Sequence, residues 1–163
     1  ANGGFTATDV FEKLKQLAAF KIHSIEQPVK PGQFALMREL CTSPLIPIAL
    51  DEELIAAPLT EKAALIADLN PQYVILKPAL LGGLSVCNDL IMEAGINNTG
   101  WWVTSALESN IGLNAIAQWT AVLDSPMHQG LGTGALYDNN VDSPLFVTEG
   151  LLAYDPAKSW GEV

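Results

Sequence analysis

Four polar residues stand at near-equal intervals, each closing a mainly apolar run: Glu26 after "IHSI", Asp51 after "PIAL", Lys77 after "YVIL" and Ser105 after "WWVT". They are separated by 25, 26 and 28 residues, and Gly132-Thr133 follow about as far on. Two carboxylates held close together must share a proton or bind a cation to relieve their repulsion. All-oxygen ligation suits a hard divalent ion such as Mg²⁺. Taken singly, Glu26 and Asp51 are polar residues at the ends of strands. Glu52 and Glu53 can serve in their place, although both lie beyond the apolar run and read as solvent-facing or loop-bracing. Lys77 has two readings. It is a snorkelling side chain with a solvated head, or an acid, base or charge stabiliser whose pKa falls readily on burial. Ser105 has no histidine or lysine at motif spacing, which argues against a serine nucleophile.

The elements that must carry these residues alternate. "TATDVFEKLKQLAAF" has one apolar stripe and capping-box spacing between Thr6 and Asp9, which predicts a helix of about three turns after Thr6. "KIHSIEQP", "PIALDEE", "YVILKP" and "GWWVTSA" read as strands. Between and after them, "FALMRELCT", "TEKAALIADLN", "LSVCNDLIMEAG" ending at Gly95, and "NIGLNAIAQWTAVL" with Ser109 as N-cap read as helices. "GLGTG" closes the series as a last strand. A strand plus a crossover helix, repeated, makes parallel strands. Their carboxyl ends share one edge, where α/β proteins place their chemistry. Beyond Leu136 the rhythm breaks at Pro144 and Pro156. There "LFVTEGLLAY" reads as a hairpin or return segment packed across the sheet end, within a single domain of residues 1–163.

Composition narrows the function. The chain has 163 residues, 49% of them hydrophobic, and a net charge of −10 with no basic patch. That balance argues against a nucleic-acid surface. No apolar run approaches the length of roughly 20 residues needed to span a bilayer. The start "ANGGFTATDV" lacks a signal-peptide pattern. Cys41 and Cys87 fit no metal or redox spacing and read as small buried hydrophobes in a reducing cytoplasm. His23 and His128 read as structural, and Trp101 and Trp102 as core and barrel-shell residues.

Taken together, "SIEQP", "PIALDEEL", "YVILKPALLGGLS", "WWVTSALESNIGLNAIAQW" and "GLGTG" resemble the C-terminal barrel of the enolase superfamily, muconate-lactonizing branch, and within it the o-succinylbenzoate synthases. The resemblance implies a partial TIM-type (β/α)₈ barrel, from the end of the third strand through the eighth. It implies a Mg²⁺-dependent dehydratase of menaquinone biosynthesis that acts on a small carboxylate substrate through an enediolate. It makes Glu26 and Asp51 the second and third metal ligands and Lys77 the enediolate-stabilising lysine. Ser105, Gly132 and Thr133 then line the substrate pocket. The family's first metal-binding Asp would stand immediately before Ala1, which leaves Asn2 as an outer partner of Glu26. Its K-x-K strand and N-terminal capping domain have no counterpart in these residues. The expectations are therefore a barrel fragment, inactive alone and prone to self-association through its open sheet. The alternatives are an N-acylamino acid racemase or dipeptide epimerase of the same branch, and a half-barrel binding or assembly module without catalysis.

Overall fold

The computed structural model describes residues 1–134 and 136–162. Strands and helices alternate as α1 (Val10–Ala18), β1 (Ile25–Glu26), α2 (Phe34–Thr42), β2 (Ile48–Leu50), α3 (Glu52–Ala56), α4 (Lys62–Leu69), β3 (Tyr73–Leu76), α5 (Pro78–Leu81), α6 (Leu84–Ile96), β4 (Gly100–Val103) and α7 (Asn110–Val122). A hairpin, β5 (Leu145–Thr148) and β6 (Leu151–Tyr154), follows.

The sheet order is β1-β2-β3-β4 and every pairing is parallel. Each strand shows alternate side chains to opposite faces. Ile25, Ile48, Leu50, Val74, Leu76 and Val103 point to the helices and merge with Met37, Leu40, Ile66, Leu90 and Leu113 in one buried core. Helices cover one face of a parallel wall, the arrangement of part of a (β/α)₈ barrel. Both margins of the wall are extended by short segments. Gly3 donates to the Gln27 carbonyl at 2.7 Å and Phe5 to that of Pro28 at 3.0 Å. At the other margin Gly130 donates to the Val103 carbonyl at 2.8 Å and accepts from Ser105 at 3.1 Å.

Three expectations need adjustment. The capping-box bond between Thr6 and Asp9 forms, with the Asp9 carboxylate accepting the Thr6 N–H at 2.8 Å and the Thr6 carbonyl accepting from Asp9 at 3.2 Å and from Val10 at 3.0 Å, but Thr6–Asp9 stays a turn leading in and α1 itself runs from Val10. α6 runs through Gly95 to Ile96, and the reversal comes at Asn98, whose φ is 54°. "GLGTG" contributes one bridge, Thr104 to Gly130, rather than a strand, since glycines supply no side chains to hold an extended run.

The tail divides. Residues 136–144 cross the loop after β4, where the Tyr137 hydroxyl donates to the Leu107 carbonyl at 2.7 Å and the Asn110 N–H to Asn140 Oδ1 at 2.9 Å. The hairpin then turns on Glu149 and Gly150, with φ of 50° and 79°. That left-handed pair is what a two-residue type I′ turn requires. The hairpin lies along α7 across a cavity of about 400 Å³.

On the face away from the helices, Tyr73 packs at a tilt against His23, with ring centroids 4.7 Å apart, and against Trp102 at 5.5 Å. The Tyr73 ring lies over Gly100, where an added Cβ would come within 2.5 Å of it. Among the described residues, no helix is long and apolar enough to cross a membrane.

Candidate metal centre

Strand register explains how residues 25 and 26 apart in sequence meet. Glu26 pairs with Ala49, and Asp51 lies two residues beyond Ala49. Ala49 pairs with Tyr73, which sets Asp51 level with Ile75, and Lys77 lies two beyond Ile75. A step of two preserves the face of the sheet. Glu26, Asp51 and Lys77 therefore share the face opposite the helices, along the diagonal that strand tilt in a barrel turns into a rim.

The side chains converge there. The Lys77 ammonium pairs directly with Asp51 Oδ2 and lies 4.0 Å from Glu26 Oε1. Glu52, in the first turn of α3, swings its carboxylate into the same space, so that oxygens of Glu26, Asp51 and Glu52 lie within 4.8 Å of one another. Asp51 is only 1% exposed, and its Oδ1, like Glu52 Oε2, is buried without a hydrogen-bond partner. Burial first, then the neighbouring Asp51 carboxylate, raise the Glu26 carboxyl above the usual carboxylate range; Lys77 pulls the other way and Glu52 adds to the rise. Unpartnered carboxylate oxygens, a surplus of negative charge and an all-oxygen donor set fit a hard divalent cation.

Glu53 sits apart from this cluster, buried, and accepts the Gly32 N–H at 2.7 Å, which braces the loop after β1. Ser105 is buried and hydrogen-bonds through its hydroxyl to Thr133, so these two residues are brought together. Gly132 beside them is exposed, with open space where a side chain would be. Asn2 does not join the cluster. The turn from Ala1 to Gly4, with Asn2 at φ 50°, leaves its side chain exposed and without a hydrogen bond among the described residues.

Two neighbours of the cluster lie outside what strand periodicity reveals. Glu52 follows the last strand residue, where a period of two no longer applies because a helix begins. Thr104 is level with Lys77 on the inner face, since Leu76 pairs with Val103, and its Oγ1 is buried without a partner. Its signal was parity: Thr104, not Ser105, continues the alternation of Trp102.

The family model described as enolase C-terminal domain-like matches residues 1–158. The chain belongs to that family. Among curated members, it is 49% identical to the o-succinylbenzoate synthase of Desulfotalea psychrophila over 152 residues, covering 93% of this chain and 41% of that protein. It is 34% identical to the o-succinylbenzoate synthase of Mycolicibacterium smegmatis, covering 96% of this chain and 47% of that one. The crystal structure of MenC from Desulfotalea psychrophila superposes with a TM-score of 0.88 at 50% identity, covering 93% of this chain and 43% of that chain. Muconate lactonizing enzyme superposes with a TM-score of 0.84 at 22% identity, covering 96% of this chain and 44% of that chain, a likeness of fold. The chain thus spans less than half the length of these enolase-family relatives.

Proposed function

We propose that this chain forms the cation-binding half of an o-succinylbenzoate synthase of menaquinone biosynthesis, a cytoplasmic, Mg²⁺-dependent dehydratase. Its substrate is a cyclohexadiene carboxylate bearing a succinyl group, and its product the aromatic succinylbenzoate. The observation that carries this reading is the convergence of Glu26, Asp51, Glu52 and Lys77 at one rim, in a chain 49% identical to a protein of that activity.

In the reaction the C–H bond next to the substrate carboxylate breaks, the ring C–O bond follows, and hydroxide leaves with a proton as water. A bound Mg²⁺ supplies Lewis-acid stabilisation of the substrate carboxylate. Glu26, Asp51 and Glu52 would hold that ion. The Lys77 ammonium, fixed by Asp51, stands where negative charge grows on the carboxylate oxygens as the proton leaves, and it stabilises that charge without reorganisation. The Ser105 and Thr133 hydroxyls, already paired, offer one polar patch to the rest of the substrate. A polypeptide restricted to these 163 residues carries no counterpart of the family's K-x-K base and is inactive in this proposal. It self-associates through the open face of its sheet.

The test is an assay of the full-length protein with the succinyl cyclohexadiene carboxylate and, in parallel, with an N-succinylamino acid. Loss of diene absorbance that requires Mg²⁺ and stops with EDTA upholds the reading. Racemisation without dehydration transfers the chain to the N-acylamino acid racemases, and no turnover of either substrate refutes it.

A further inference from the structure

Asp51 occupies the N-cap position of α3, where an aspartate ordinarily turns its carboxylate onto the first N–H groups of its own helix. It does not do so here. One carboxylate oxygen takes the Lys77 ammonium and the other is buried without a hydrogen-bond partner. The helix N–H it neglects, that of Glu53, is met by Gln27, the residue that follows β1. Oε1 of Gln27 accepts from the Asp51 N–H at 3.3 Å and from the Glu53 N–H at 3.1 Å. Nε2 of the same side chain donates to the Val29 carbonyl at 2.9 Å and to Glu53 Oε2 at 3.1 Å. Gln27 has 0% exposure, and all the hydrogen-bonding capacity of its primary amide is used. Glu53 completes the network through its second oxygen on the Gly32 N–H at 2.7 Å. Gln27 itself sits at φ 37°, a left-handed conformation rare for a residue with a side chain.

We propose that Gln27 is a positioning residue. It caps α3 in place of Asp51 and thereby releases the Asp51 carboxylate to the cation and Lys77, while Glu53 fixes the amide in orientation. The inference rests on the cation-binding reading above. Without the Gln27 acceptor, the buried N–H groups of Asp51 and Glu53 have no partner, and a short rotation of the Asp51 side chain satisfies that of Glu53 at the expense of the cluster. Gln27 and Glu53 thus act through Asp51 and touch neither ion nor substrate.

The experiment compares the full-length protein with Gln27→Leu and with the exchange Gln27→Glu/Glu53→Gln, which keeps an acceptor at position 27 and supplies the amide donor from position 53. Mn²⁺ is titrated against each, with free ion read by electron paramagnetic resonance, and urea unfolding and metal-free crystal structures accompany the titration. Folded Gln27→Leu is expected to bind Mn²⁺ about 10- to 100-fold more weakly, the range for loss of a group that orients a ligand, with Asp51 turned onto the Glu53 N–H. The exchange leaves only the Val29 carbonyl without its donor, and it is expected to bind Mn²⁺ closer to the wild type than to Gln27→Leu. Wild-type Mn²⁺ affinity in folded Gln27→Leu overturns the proposal, as does an exchange variant that folds and binds as weakly as Gln27→Leu. Should Gln27→Leu fail to fold, the exchange variant decides alone: retained affinity with Asp51 in place upholds the proposal, and lost affinity overturns it. If the wild type binds no Mn²⁺, the cation-binding reading fails, and the direction of Asp51 in the Gln27→Leu crystal decides the capping claim separately.

Discussion

Glu52→Gln should make the cation-free protein more stable and the cation-loaded protein no more stable than the wild type. The carboxylate oxygens of Glu26, Asp51 and Glu52 lie within 4.8 Å of one another, and the Lys77 ammonium is the one cation facing them among the described residues. Two like unit charges at that separation repel by about 3.5 kcal/mol at an effective dielectric of about 20 and by about 0.9 kcal/mol in bulk water. The Glu26 side chain is 37% exposed, which favours the lower figure, and Lys77 offsets part of it. Removing one charge therefore stabilises the empty site by about 1 kcal/mol, about 2–4 °C in Tm for a domain of this size. Mg²⁺ at about 100 times Kd stabilises the wild type by about 2.7 kcal/mol. A variant that binds tenfold more weakly gains about 1.4 kcal/mol at the same concentration, and one that binds a hundredfold more weakly about 0.4 kcal/mol. The first loss erases the lead of the variant and the second reverses it. Scanning calorimetry in EDTA and in Mg²⁺ measures both. A variant less stable than wild type in EDTA, or one with an undiminished Mg²⁺ shift, refutes the reasoning.

Lys77→Met is expected to lower kcat about 10²- to 10³-fold, the usual cost of removing one preorganised charge stabiliser, in a steady-state dehydration assay with circular dichroism as the check on folding. Lys62 is 2% exposed, and its ammonium donates to the carbonyls of Leu54, Ile55 and Ala57 at the end of α3. Lys62→Met orphans these carbonyls and should destabilise by about 2–4 kcal/mol in urea unfolding. Burial holds the Cys41 and Cys87 thiols up at about 12, against an ordinary value near 9. The folded state thus keeps thiol protons that the unfolded chain releases, so stability falls as pH rises from about 9 towards 12, by about 1.4 kcal/mol per pH unit for each thiol. Cys41→Ala/Cys87→Ala should flatten that slope in urea midpoints measured from about pH 8 to about pH 11.

Much of the scaffold was legible because period and punctuation agree in it. "FALMRELCT" is α2 from end to end, and the apolar runs before Glu26, Asp51 and Lys77 end in strands with those residues on one face. The misreadings fall where local chemistry competes with period. A turn over Thr6–Asp9, closed by the Asp9 carboxylate on the Thr6 N–H, leads into α1, and α6 continues one residue past Gly95 to the exposed Ile96. Glu52 reads as solvent-facing because a strand alternation says nothing of the residue that opens the next helix. Ser105 reads as the rim hydroxyl in place of Thr104 because a hydroxyl at the end of a run looks the same on either face until the register with β3 is known. Gln27 carried no signal at all, since a glutamine among "SIEQP" becomes a helix cap only through a neighbour 24 residues away.

The two-residue stagger from β1 to β2 and from β2 to β3 has a bearing on how such a chain tolerates insertions and deletions. Length can drift in the segments that return from one stave to the following one, as the unequal spacings of 25 and 26 residues between Glu26, Asp51 and Lys77 already display. A single residue gained or lost between the pairing of β2 or β3 and its last side chain is another matter. It would send Asp51 or Lys77 among the helices and bring an aliphatic neighbour to the mouth, so at those points only exchanges of residue type, or changes in steps of two, leave a working rim.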